Sequence, residues 1–295
     1  MLNPDRNAGL DPHRDFREIY RNVALLDFPW DFTQSLSFAL FRTYAVPSVG
    51  RLLDESRGFA DTQKRYDDTG LLLEVPLREG ISSSAGRSAV RRINQMHRAY
   101  DISNDDMLYV LSTFVVVPKR WLDDYGWRKL TYDEVVASTN YYRELGRHMN
   151  IKNIPESYDA FAVLMDEYEG EHFAYDEGGR RVADLTLNLL TTFYPKPARP
   201  AVREFSKALM DDPLLDAFGY RKPSRFVVAA SRRAMRARAA VVRLLPPRRK
   251  PQGFGDTSRM KSYPDGYEIE SLGTFPGGCP VSHLSELEPT SAVSG

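Results

Sequence analysis

A single cysteine, Cys279, stands in 295 residues. That excludes an intrachain disulfide framework and any zinc site built on several thiolates, and it fits a reducing compartment. Net charge is missing as well: forty Lys plus Arg balance forty Asp plus Glu, so no whole-molecule field points to nucleic acid or to a strongly acidic partner. Long apolar runs are lacking. The longest, "MLYVLSTFVVV" from Met107 to Val117, is about half the ~20 residues needed to cross a bilayer. The N-terminus, "MLNPDRNAGLDPHRDFREIY", has charges and prolines where a secretory signal needs an unbroken apolar core. The expectation is a cytoplasmic protein with no spanning segment. Period-two alternation and hairpin dipeptides are scarce, which argues against a β architecture.

What is present is helical patterning from Arg14 to Leu245, with 42% apolar residues to build a core. The reading is an all-α protein: one multi-helix domain over residues 1–250, then a Gly/Pro/Ser-rich tail over 251–295, mobile beyond Pro276. Apolar segments at Phe16 to Leu26 and Phe32 to Phe41 are interrupted at Pro29, and Val46-Pro47 opens another. In "KRYDDTGLLLEV" Gly70 predicts a stop or kink, and Pro76 to Gly86 reads as a loop. Ser88 to Tyr100 is a helix with Ala89, Val90, Ile93, Met96 and Tyr100 on one face. Ser103 with Asp106 caps the next, apolar nearly all round and ended by Pro118. Thr131 with Glu134 is a capping box for Tyr132 to His148, and Pro155 precedes a helix from Glu156 to about Tyr168. Further helices are expected over Arg181 to Phe193, Pro200 to Met210 and Pro213 to Phe218.

Residues 221–250 differ in kind, with eleven bases and no acid between Ala217 and Gly255. Read as a helix from Ser224 to Leu245, the segment joins Phe226, Val227, Ala230, Met235, Val241, Val242 and Leu245 to a cationic face. That pattern predicts either a peripheral helix on an anionic membrane or a helix packed on the domain with solvated arginines.

Five histidines are the candidates for chemistry: His13, His97, His148, His172 and His283. His13 and His283 lie in terminal segments. Glu169 and His172 form a Glu-x-x-His pair, half of a di-iron site whose second copy is missing. His148 sits at a helix C-terminus, where it complements the dipole. His97 lies four residues after Ile93, on the apolar face of "RRINQMHRAY"; taken alone it reads as a core histidine. Two features favour a ligand. Arg91, Arg92 and Arg98 flank that face and could pair with an anionic ligand. Upstream, Arg65 and Thr69 stand at i, i+4, a guanidinium beside a hydroxyl near apolar sequence.

The order of "KRYDDTG", "RRINQMHRAY", the buried helix and "LGRHMNIKNIPESYDAF" resembles the MpaB and latex-clearing-protein (rubber oxygenase) family over roughly Asp11 to Tyr220. The resemblance implies an all-α fold holding one b-type haem between helices, and use of dioxygen to cleave a carbon–carbon double bond in an isoprenoid chain. It places the proximal iron ligand on His97 and the haem-side Arg and Thr on Arg65 and Thr69. Ile93 and Met96 would line the macrocycle. Arg65, and one of Arg91 or Arg92, could pair with propionates or polarise bound oxygen. One departure is Asp68, where rubber-cleaving members have a lysine, which argues against polyisoprene as substrate. The reading is thus a haem b oxygenase acting on an apolar, isoprenoid- or lipid-like small molecule. A haem-dependent hydroxylase or peroxygenase on the same scaffold, or a non-catalytic haem or lipid carrier at a membrane surface, are the alternatives.

Overall fold

The computed structural model describes residues 6–56 and 58–273. Cys279, His283 and the segment beyond Pro276 lie outside the described residues. Among those described there are twelve α-helices and no strands, so the all-α reading holds. The helices are α1 (Phe16–Asn22), α2 (Pro29–Thr43), α3 (Pro47–Glu55), α4 (Thr62–Glu79), α5 (Ser84–His97), α6 (Asn104–Tyr125), α7 (Tyr132–His148), α8 (Tyr158–His172), α9 (Glu177–Thr192), α10 (Arg199–Ala208), α11 (Asp212–Ala217) and α12 (Arg225–Arg243).

The central element is α6, which packs against α2, α7, α8 and α12. Its start is fixed as the sequence suggests, with the Ser103 hydroxyl accepting from Asp106 N at 3.0 Å. Pro118 does not end it. The helix continues for two more turns because Trp121, Leu122 and Tyr125 bury in the core, and that burial offsets the hydrogen bond a proline removes. Pro29 likewise opens α2, at the first-turn position where its missing N–H costs nothing. The Thr131/Glu134 capping box forms in full. The α8 helix starts at Tyr158, later than Glu156, because Ser157 supplies the cap.

The α4 helix crosses both Gly70 and Pro76 without stopping. The reason at Gly70 lies far away in sequence: a Cβ there would sit 2.4 Å from the Phe254 ring, so the missing side chain makes room for a residue of the C-terminal segment. A second close approach joins α3 to α9, where a Cβ on Gly50 would lie 2.6 Å from Gly179 Cα. The second contact, with α4 also packed on α9, brings α3, α4 and α9 side by side.

The described part of the segment after Pro251 is not a free tail. Residues 251–273 run as a strap over α4 and α5. Leu272 is fully buried with Leu71, Leu72, Ile93 and Met96. Asp67, on α4, has no exposed surface; it accepts from Lys261 N (3.0 Å), Ser262 N (2.9 Å) and Ser262 Oγ (2.7 Å), and from the Gln63 side chain. Its neighbour Asp68 accepts from Lys64 Nζ at 2.7 Å and from the Tyr263 hydroxyl.

Candidate functional site

The two halves of the sequence motif come together because α4 and α5 form a packed pair. Between them and α2, α3, α6 and α9 lies a cavity with about 250 Å³ of water-accessible volume. Arg65 and Thr69 face it from α4; Ile93, Met96 and His97 face it from α5. Its walls are mainly apolar, with Leu72, Val110, Leu111, Phe114, Leu145 and Met149 among them. An enclosed apolar cavity with a few convergent polar groups is the usual form of a small-molecule site.

His97 is the last residue of α5, and its Nδ1 is buried with no hydrogen-bond partner. A buried polar atom without a partner is costly, and such atoms in folded proteins call for an explanation. Burial first, and the Arg65 charge second, push its pKa down to about 4. The imidazole is therefore neutral at physiological pH, with no proton-donating neighbour occupying its lone pair. Arg65 makes no ion pair with any described residue although it stands on the cavity wall. Thr69 donates its hydroxyl to the Arg65 carbonyl at 2.8 Å, which ties the two within one helical turn. Asp68 and Asp106 also reach the cavity, but both are engaged, Asp106 with Ser48 at 2.8 Å and Tyr168 at 2.8 Å.

Arg91 and Arg92 are not on this cavity, which corrects their expected place beside its ligand. Arg91 is exposed, and Arg92 is buried and donates to the Leu272 carbonyl. The cause is helix geometry: at roughly 100° per residue, Arg92 points about 140° away from His97. The remaining histidines in the described residues have structural partners. His148 contacts Glu144 at 3.2 Å, and His172 bonds the Tyr168 carbonyl at 3.0 Å while stacking on its ring. Glu169, the other half of the Glu-x-x-His pair, is held by Arg42 and by Tyr109 at 3.1 Å. Among the described residues no group of three or more His, Cys, Asp or Glu could hold a bare metal ion. Tyr44, Ser48 and Thr186 on the cavity wall carry no local sequence signal, since they arrive from α3, α9 and the turn before α3 through packing alone.

The titration of His97 gives a stability prediction for the protein without any ligand. An unfolded histidine takes a proton near 6.5 and the folded one only near 4. Between those values the unfolded chain binds the proton and the folded one does not, so stability is fully present above 6.5 and falls as pH drops toward 4. Urea unfolding at about pH 7 and pH 5 should show that loss, and His97→Leu should remove this share of it. An unchanged slope in the variant contradicts a buried neutral imidazole.

Fold and site together define a helical domain built around an enclosed apolar cavity, with one neutral histidine and one unpaired arginine turned toward it. Comparison with known proteins gives the family. The family profile described as "ER-bound oxygenase mpaB/B'/Rubber oxygenase, catalytic domain" matches residues 24–244, and the chain belongs to this family of oxygenase catalytic domains. Similar proteins include the ER-bound oxygenase mpaB' of Penicillium brevicompactum, 29% identical over 88% of this chain. The ER-bound oxygenases mpaB of Penicillium roqueforti and of Penicillium brevicompactum are 29% and 30% identical over 69% and 61% of it. The matches span 66%, 74% and 51% of these relatives' own lengths. The strap at 251–273 lies outside the matched family segment.

Proposed function

We propose that this chain is a haem b oxygenase that uses dioxygen on an apolar, isoprenoid- or lipid-like small molecule, with oxidative cleavage at a carbon–carbon double bond as the reaction. The observation that carries the reading is the His97 ring, half-buried on a cavity of apolar walls, neutral, and with its Nδ1 buried and without a hydrogen-bond partner. The donor set fits haem better than a bare ion. A porphyrin brings four nitrogens of its own, so a single protein side chain would suffice to hold its iron, and a neutral imidazole such as His97 is a common choice. When bound, the haem iron supplies the one-electron and dioxygen chemistry that side chains lack.

The residues of this chain supply the rest. His97 would hold the iron, and its place at the end of α5 fixes the ring direction. Arg65 would pair with a propionate, which relieves a cation otherwise left unpaired against apolar walls. Ile93, Met96 and Phe114 exclude water and give an extended hydrocarbon a surface to lie on. Residue 68, where rubber-cleaving members carry a lysine, is an aspartate whose carboxylate is held by Lys64 and Tyr263, so it supplies no amine of its own to the cavity, and a small substrate is favoured over polyisoprene. The relatives' names place them at the endoplasmic reticulum; by analogy this chain works beside a membrane. No helix of the described residues is long and apolar enough to cross one.

The absorbance spectrum of the full chain, purified after expression with haem supply, tests the reading. A Soret band with one haem per chain is expected, and a colourless protein that takes up no added haem would end the proposal. With labelled dioxygen, label in two carbonyl fragments marks cleavage, a single labelled hydroxyl marks hydroxylation, and haem transfer without any product marks a carrier. Arg65→Leu should weaken haem binding about tenfold or more, the scale of a lost charge-assisted hydrogen bond. It should change binding of the haem dimethyl ester, which has no carboxylates, very little. Equal losses for both ligands would remove Arg65 as the propionate partner.

A further inference from the structure

The α12 helix has two apolar faces, and the domain covers only one. Ser231, Met235 and Ala239 are buried, with α12 lying on α6 and α10. Arg238 reinforces this seat through Asp31 at 3.0 Å and the Trp30 ring at 3.7 Å. The outward side holds Phe226 at 82% exposure, Val241 at 59% and Leu244 at 85%. Phe226 and Leu244 are eighteen residues apart, five helical turns, so they fall on one line along the helix. Ala230, Ala237 and Ala240 share that side, which makes it a shallow apolar strip about the length of the helix.

The charges follow the same geometry. Arg233 stands within the strip, and Arg225, Arg236 and Arg243 run along one edge of it, all exposed. None of the four makes an ion pair with a described residue, whereas Lys222 and Arg238 in the same segment do. Arg248, Arg249 and Lys250 are three more exposed bases just past the helix end. A solvated face has no need of an exposed Phe and Leu, and a nucleic-acid surface has no need of an apolar strip between its cations. Arginines beside bulky apolar tips complement a bilayer interface, where the tips enter the acyl boundary and the guanidinium groups meet phosphate and carboxylate headgroups.

We propose that the outer face of α12, from Arg225 to Leu244, docks the domain peripherally on an anionic phospholipid membrane, lying in the interface without spanning it. This attachment depends on neither haem nor catalysis. It would let an apolar substrate reach the domain from the bilayer.

Co-sedimentation of the full chain with phosphatidylcholine vesicles, with and without phosphatidylserine, is the test. Binding is expected only with the anionic lipid and should weaken as salt rises past the physiological range. Each reversal among Arg225→Glu, Arg233→Glu and Arg236→Glu should cost roughly fivefold or more in vesicle affinity. The double variant Phe226→Ser/Leu244→Ser should lose binding while the four arginines remain. All five side chains are exposed, so circular dichroism and thermal unfolding should match the parent. In Phe226→Trp, vesicles should shift the emission to the blue. Equal binding to neutral vesicles, no binding to either, or preference for a single-stranded RNA over anionic vesicles overturns the proposal. So does concentration-dependent dimerisation that Phe226→Ser abolishes, which would assign the strip to a second copy of this chain.

Discussion

His97→Ala purified with haem supply should come out with little or no Soret-absorbing haem, its affinity lowered by more than about a hundredfold. That figure is a floor, because loss of a group that merely supports a ligand already costs about ten- to a hundredfold. The apoprotein should fold as well as the parent or slightly better. In the parent, His97 Nδ1 is buried without a partner, and removing such a group relieves its desolvation cost while leaving a small void. The two readouts separate a lost ligand from a lost fold: unfolding by urea should be little changed while haem content collapses. Added imidazole, small enough for the vacated space, should restore part of the Soret band. If His97→Ala retains the parent's haem content and spectrum, the iron has another ligand and the assignment fails.

Asp67→Ala, which removes the α4 carboxylate that anchors the strap, should be the most destabilising polar substitution at that contact, at about 3 kcal/mol or more. The carboxylate accepts from two backbone amides, the Ser262 hydroxyl and the Gln63 side chain, and each buried donor left unpaired costs roughly 1–3 kcal/mol. By comparison Tyr263→Phe, which removes one hydrogen bond to Asp68, should cost about 1–2 kcal/mol. Loss of the Asp67 anchor should also free Leu272 from its place beside Ile93 and Met96, and so loosen the helix that presents His97. Hydrogen exchange should then show faster opening of amides around 255–272, and limited proteolysis should cut there first. Parent-like unfolding and exchange in Asp67→Ala would mean that the strap is held by its apolar contacts alone.

Much of the local structure was legible because its causes are short-range. The Thr131/Glu134 box and the Ser103 cap act within one turn, and both appear where the residues predict them. Arg65 and Thr69 share a face through i, i+4 spacing, and Ile93, Met96 and His97 share another, so five site candidates could be paired off before any tertiary contact was known. Gly70, Pro76 and Pro118 misled for one common reason. Each weakens a helix locally, and in each case packing with distant residues outweighs that weakness, most plainly where Phe254 fills the space that Gly70 leaves.

The sequence by itself determined an all-helical chain with one histidine placed for ligand chemistry and one acid-free basic helix, because periodicity, caps and charge counts are properties of neighbouring residues. Only the tertiary structure decided that Arg65 faces the cavity while Arg91 and Arg92 turn away, that Glu169 is already engaged by Arg42 and Tyr109, and that residues 251–273 clamp α4 to α5. It also decided that α12 keeps a second apolar face uncovered. The physical reason is the same throughout: helical spacing fixes which side chains point together, but the direction that counts as inside is set by partners that arrive from far along the chain.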